Sequence, residues 1–245
     1  MNVVNFRDII LGDKIGRGAS GEVRKCTFDG NQYCIKILEK TYPRSVVSNI
    51  KNMTSQEFSK EFFVPLYVVE GTTGDFFGYL MNYDEKLQVA SNLRELKDKL
   101  IFFKNAREIV GKLHQEHKRV HGDLVSENML YDELLNAFLI DFDSSLKFGK
   151  KYEDKQTVRI FVQQYLRYYP VDKNMDIYTF NVNTLKMLGN YPRVDILLDD
   201  ISEGEFFMFQ ENKNVKKLTK ELLLRDTRKK YSGEYIIDHI MNEFK

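Results

Sequence analysis

The chain has 245 residues, 42% of them hydrophobic and 30% charged, which is enough apolar material for one substantial core or two small lobes and too much for a disordered chain. Lys plus Arg number 37 against 36 Asp plus Glu, so a formal net charge of +1 removes any whole-chain electrostatic argument for nucleic acid or a membrane surface. Two cysteines, no signal-peptide pattern and no long apolar run lead to the expectation of a reduced, cytoplasmic setting without a membrane segment.

In chain order, "IILGDKIGRGASGEVRKCTFDGNQYCIKIL" alternates apolar and polar residues around two turn signals, the glycine cluster at 16 to 21 and "DGN" at 29 to 31. It predicts three antiparallel strands. A turn centred on residue 30 sets Cys26 and Cys34 facing each other, as two packed thiols rather than a strained cross-strand disulfide. "TYPRSVVSNIKNMTSQEFSKEFF" predicts a helix, and "VPLYVVEGTTGDFFGYLMNY" predicts two more strands around a Gly/Thr turn. Residues 1–83 therefore read as a small five-stranded antiparallel lobe with one helix.

Beyond that point the period becomes helical, with Leu100, Phe103, Ala106, Ile109, Val110 and Leu113 recurring on one face. Residues 84–245 read as a mainly helical lobe, interrupted by a short strand pair in "NMLYDELLNAFLIDFD". The expected class is α+β, two lobes within one domain, and lobes of this kind leave a cleft.

The candidate chemistry lies at the junctions between these elements. Gly16, Gly18 and Gly21 sit between two predicted strands, where missing Cβ atoms let backbone N–H groups approach phosphate oxygens; a ligand-free Gly-rich hairpin has the same pattern. Lys36 interrupts an apolar strand and must snorkel out or find an anion. Asp123 and Asn128 follow the long helix, and Asp141 follows an apolar strand-like run. That oxygen-rich trio suits a hard cation and a proton-accepting carboxylate, whereas zinc would want His and Cys at ligand spacing. His114, His117 and His121 cluster in sequence without such a pattern.

In this order and spacing the pieces resemble the signature set of the eukaryotic-like protein kinase superfamily, over about residues 10 to 240. "GRGASGEV" resembles its Gly-rich loop, "YCIK" its V-A-I-K strand, "HGDLVSEN" its H-R-D-L-x-x-x-N loop and "DFD" its D-F-G. "MDIYTFNV" at 175–182 resembles the helix whose Asp supports the catalytic loop, and "LLLRDTRKKYSGEYII" at 222–237 the segment before the last helix. The resemblance implies a bilobal fold that binds ATP and Mg²⁺ and transfers phosphoryl groups to Ser or Thr of a protein substrate, with no nucleic-acid partner. It puts Gly16, Gly18, Ala19, Ser20, Gly21, Val23, Cys34, Lys36, Met81, Asn82 and Tyr83 around the nucleotide. Lys36 would hold the α/β-phosphates and Glu57, with Glu61 as competitor, would orient it. Asp123 would accept the hydroxyl proton, while Asn128 and Asp141 bind Mg²⁺.

Four departures accompany the likeness. Gly122 stands where many protein kinases carry an Arg that reads a phosphorylated loop, and Val125 where a charge-neutralising Lys is usual. Asp143 replaces the Gly of D-F-G, where its carboxylate either joins the Mg²⁺ shell or points to solvent, the latter being the expectation, and no A-P-E occurs between 144 and 175. Ser144, Ser145, Tyr152 and Thr157 are candidate sites of self-phosphorylation. The departures keep two alternatives in view: a pseudokinase acting as a nucleotide-binding interaction module, and a small-molecule kinase of the aminoglycoside type.

Overall fold

A computed structural model of the chain describes residues 2–18, 21–39, 43–150, 170–206, 208–209, 211–223 and 233–242. Two compact units emerge. One takes in the described residues up to Lys86 together with Ile140–Ser144, and the other takes in Leu87–Leu139 and the described residues from Ser145 onward. The first unit thus includes a short piece of chain remote in sequence, which the periodicity alone does not reveal.

Among the described residues of the first unit, strands β1 (Val3–Asn5), β2 (Ile10–Gly18), β3 (Gly21–Phe28), β4 (Asn31–Leu38), β5 (Tyr67–Glu70) and β6 (Phe76–Met81) form one sheet in the order β1-β5-β6-β4-β3-β2. The five expected strands are joined by a sixth, β1, which runs parallel to β5. Its three residues are too few to show an alternating pattern, so the expectation of five antiparallel strands falls short at this edge.

Register decides what each face carries. The β3–β4 hairpin closes on two residues, Asp29 and Gly30, both with positive φ (48° and 73°), the conformation a type I′ turn requires. Cys26 therefore pairs with Tyr33, and Cys34 with Lys25. Directly paired residues share a face and neighbours alternate, so the two thiols lie on opposite faces, which corrects the expected facing pair. Cys26 packs into a cluster with Val4, Ile9, Ile35, Val69 and Leu80. The other face receives Val23 and Tyr79, both paired with Lys36, and Met81, paired with Cys34.

Helix α1 (Arg44–Met53) buries Val46, Ile50 and Met53 at i, i+4 and i+7. It ends well short of the expected span because polar side chains engage its last carbonyls. Thr54 Oγ1 donates to Lys51 O at 2.9 Å, and Ser55 Oγ and Gln56 Nε2 both donate to Asn52 O at 3.0 Å. Glu57 and Glu61 consequently lie in irregular chain, not on one helical face.

The second unit is built around α2 (Leu96–Glu116), whose Leu100, Phe103, Ala106, Val110 and Leu113 are buried as the spacing predicts. It packs on α3 (Asn174–Leu188), where Phe103 and Phe180 meet edge to face at 5.7 Å. Helices α4 (Val194–Glu203), α5 (Lys213–Glu221) and α6 (Ile236–Met241) complete its described helical part. Short strands β7 (Gln88–Val89), β9 (Met129–Tyr131) and β10 (Ala137–Leu139) pair in the order β10-β9-β7, and β8 (Arg119–Val120) pairs with β11 (Leu146–Lys147). No helix among the described residues is long and apolar enough to cross a membrane.

Two glycines make the packing testable. A Cβ on Gly78 would sit 2.0 Å from the Lys36 carbonyl oxygen, whereas one on Gly111, inside α2, would meet nothing within 4 Å. Gly78→Ala is expected to destabilise the chain by about 1–3 kcal/mol through overpacking. Gly111→Ala is expected to stabilise it by up to about 1 kcal/mol through helix propensity. Urea unfolding of the two variants beside the wild type checks both signs.

Candidate active site

In the first unit the site grows from one residue, Lys36. Strand β4 turns it to the face opposite the Ile35 cluster, and its side chain is 3% exposed. A buried ammonium must find charge. Its Nζ lies 2.5 Å from Asp141 Oδ1 and 2.6 Å from Asp143 Oδ2. Burial pulls the Lys36 pKa down, but the charges of Asp143 and then Asp141 outweigh it, and the ammonium is held above the usual lysine range.

The two carboxylates reach Lys36 through a local turn. Asp141 has φ 64°, a left-handed conformation that Asp tolerates better than most side chains, and the chain then forms a 3-10 turn over Phe142–Ser144. Phe142 is fully buried against Phe58 and Phe62, with ring centroids 6.5 and 6.1 Å away. That anchor turns Asp143 inward. It accepts a hydrogen bond from Tyr79 Oη at 2.6 Å as well as the Lys36 contact, and its side chain is 6% exposed. The expected solvent-facing Asp143 is thus overturned: it is a buried counter-ion.

Glu57 takes a different place. It is exposed, on the rim of a cavity of about 690 Å³ also lined by Tyr33, Phe58, Tyr67 and Asn82. Helix α1 carries no acidic residue at all, so the acids on Lys36 come from Asp-Phe-Asp.

Around Lys36, a Cβ added to Gly16 or Gly18 of β2 would meet nothing within 4 Å, so both face open space. Gly21 is different, since its Cβ would stand 2.0 Å from the Ile37 carbonyl oxygen, and strand packing alone demands glycine there. Ala19 and Ser20 lie outside the described residues. Val23 and Met81 share the Lys36 face with Cys34, whose thiol burial pushes up to about 12, leaving it an apolar filler and not a nucleophile. Asn82 is exposed, and Lys25 Nζ lies 4.9 Å above the Tyr83 ring.

In the second unit the organising group is Asp176, fully buried on α3. Its Oδ2 accepts from the His121 N–H at 2.7 Å and pairs with His114 Nε2 at 2.9 Å, while Oδ1 accepts from the Gly122 N–H at 2.9 Å. Gly122 has φ 83°, a backbone state that an Arg side chain would strain. The loop so fixed carries Asp123, and Asn128 Nδ2 donates to both its carbonyl O and its Oδ2 at 3.0 Å. Val125, where the resemblance would put a lysine, is buried and fills core.

Asp123 and Asn128 are thus brought together in one unit, and Lys36 and Asp141 in the other. Each unit holds an oxygen donor of the kind a hard cation takes: the Asn128 amide nitrogen is engaged by Asp123, which leaves its oxygen available, and in the other unit the Asp141 side chain is 33% exposed.

Sequence reading missed Tyr79 and the inward Asp143, and it missed Arg119, which is fully buried. Arg119 Nε donates to Ser145 Oγ at 3.1 Å, and burial pulls its guanidinium down to about 10. Ser145 in turn donates to the Val120 carbonyl at 2.7 Å. It is a buried tie between the strands and not an accessible phosphorylation site. Tyr152 and Thr157 lie outside the described residues, as does most of 222–237.

No family model matches the chain. Among curated proteins it is similar to three cysteine-rich receptor-like protein kinases of Arabidopsis thaliana. It is 25% identical to number 24 over 211 residues, 76% of this chain and 31% of that protein. It is 24% identical to number 19 over 223 residues and to number 4 over 224, each match covering 80% of this chain and, respectively, 33% and 32% of those proteins. The chain therefore spans about a third of the length of the curated relatives it matches.

The Asp176 network gives a direct prediction. Asp176→Ala strands two buried N–H donors and the His114 ring, and is expected to cost about 3–5 kcal/mol. Asp176→Asn, which keeps a carbonyl acceptor, should cost less. Denaturant titration of both variants measures the difference, and equal, small losses in the two would contradict the network.

Proposed function

We propose that the chain, a member of the protein-kinase-like superfamily, transfers the γ-phosphoryl group of ATP, with Mg²⁺, to a Ser or Thr hydroxyl of a protein substrate. The observation that carries this reading is the buried Lys36 ammonium held at 2.5 Å by Asp141, in a chain whose Asp123 and Asn128 are joined by hydrogen bonds at 3.0 Å. Two strands away on the same face, Gly16 pairs with the Val23 that pairs with Lys36, and a Cβ there would meet nothing within 4 Å.

On this reading each residue does one thing. Lys36 would present a fixed positive charge to the α/β-phosphates. The open positions at Gly16 and Gly18 let backbone N–H groups come close to phosphates without a Cβ in the way. Val23, Cys34 and Met81 supply the apolar surface for a purine ring. Asp123, oriented by Asn128, lines up the acceptor hydroxyl and takes its proton. Asn128 and Asp141 would hold Mg²⁺, which when bound supplies neutralising charge at the phosphate oxygens.

Chemistry without Lys at position 125 loses one cation that would stabilise developing charge, so a slow enzyme is the expectation. Purified protein, labelled ATP, Mg²⁺ and a generic protein substrate test the reading. Transfer to Ser or Thr is expected, reduced at least about 100-fold in Asp123→Ala and in Asp141→Ala. Transfer that persists in both variants would reject the assigned roles, and tight ATP binding without transfer to any protein would move the reading to an interaction module or a small-molecule kinase.

A further inference from the structure

The resemblance implies a glutamate on the β-lobe helix to orient the nucleotide lysine, yet α1 reads "RSVVSNIKNM" and offers none. Its buried residues are apolar, and it lies beside the Phe142–Ser144 turn. The chain still has a buried lysine to hold. It has two acids on that lysine, and they differ in kind: Asp141 is 33% exposed, whereas Asp143 is 6% exposed and fixed on two sides by Lys36 Nζ and Tyr79 Oη, each at 2.6 Å. Tyr79 is itself the direct cross-strand neighbour of Lys36 and is fully buried, so lysine, tyrosine and carboxylate form one rigid unit on the sheet.

We propose that Asp143 is the positioning residue of Lys36: the third residue of Asp-Phe-Asp, clamped by Tyr79, does the work that a helix glutamate does elsewhere, leaving Asp141 for the metal. The inference rests on the kinase reading for its purpose. Its physical content is narrower, since it states which anion fixes Lys36. An aspartate at this position is then a relocation of the acid and not the mark of a lost activity. Because the acid travels with the metal-binding residue two positions earlier, a shift of α1 does not by itself break the Lys36 pair.

A double-mutant cycle on the full chain tests this. Lys36→Met, Asp143→Asn and their combination are compared with wild type in kcat and KM for ATP, and in Mg-ATP affinity by calorimetry, with thermal melts confirming that each is folded. Asp143→Asn is expected to lower kcat/KM and Mg-ATP affinity at least tenfold when Lys36 is present and less than twofold when it is not. Tyr79→Phe, which keeps the ring and removes only the donor to Asp143, is expected to produce a smaller loss of the same kind. Additive losses from Lys36 and Asp143, or a Lys36 cycle that couples to Glu57 in place of Asp143, would overturn the inference. A wild type that binds Mg-ATP but transfers nothing overturns the kinase reading alone, because the affinity cycle still decides Asp143. A wild type that binds no Mg-ATP overturns both.

Discussion

A lysine ammonium inside a β-sheet is the constraint on which the first unit depends. Removing each ion of such a pair from water costs several kcal/mol even after relaxation, on the order of what a small domain has in net stability. The chain meets that cost with two carboxylates within 2.6 Å of Lys36 and with the Tyr79 hydroxyl on one of them. The conditions for that arrangement spread outward. The two-residue Asp29–Gly30 turn sets the register that turns Lys36 away from the apolar cluster, and Gly78 lets β6 approach the Lys36 carbonyl. Phe142, wedged between Phe58 and Phe62, holds the turn that aims Asp143 inward.

The second unit solves a different problem with a buried carboxylate. Asp176 gathers two backbone N–H groups and an imidazole, so the polar loop from His121 to Asn128 is ordered by a side chain and not by a ladder. Within that loop Asn128 Nδ2 donates to both the carbonyl and the carboxylate of Asp123, so a single amide fixes the Asp123 side chain relative to its own backbone. The departures from the family pattern then have local physical reasons. Gly122 occupies a left-handed position, and Val125 points into packed core where an unpaired lysine would be costly.

Much of this was legible in the sequence because periodicity and turn residues report directly on backbone geometry. Strands β2 to β6, the long helix and the short β9–β10 pair all follow from alternation, spacing and glycine placement. The errors came where side chains decide. The apolar spacing of Phe58, Phe62 and Phe63 mimics a continuing helix, but Thr54, Ser55 and Gln56 cap it at Met53. "DGN" read as a three-residue turn moves the register by one and puts Cys26 on the wrong face; the Asp-Gly pair with positive φ was the better signal. The inward turn of Asp143 is not legible because nothing in a single sequence says that Tyr79 lies across from Lys36, and that pairing is set between β4 and β6, strands separated in the chain by α1 and β5.

The most direct test of the account is a structure of the full chain bound to Mg²⁺ and a non-hydrolysable ATP analogue. Lys36 Nζ is expected on a phosphate oxygen and still within about 3 Å of Asp143, with Tyr79 bonded to the same carboxylate and Asp141 turned to the metal. A bound nucleotide that leaves Asp143 facing solvent, with Lys36 paired to Glu57 or Glu61, would contradict it.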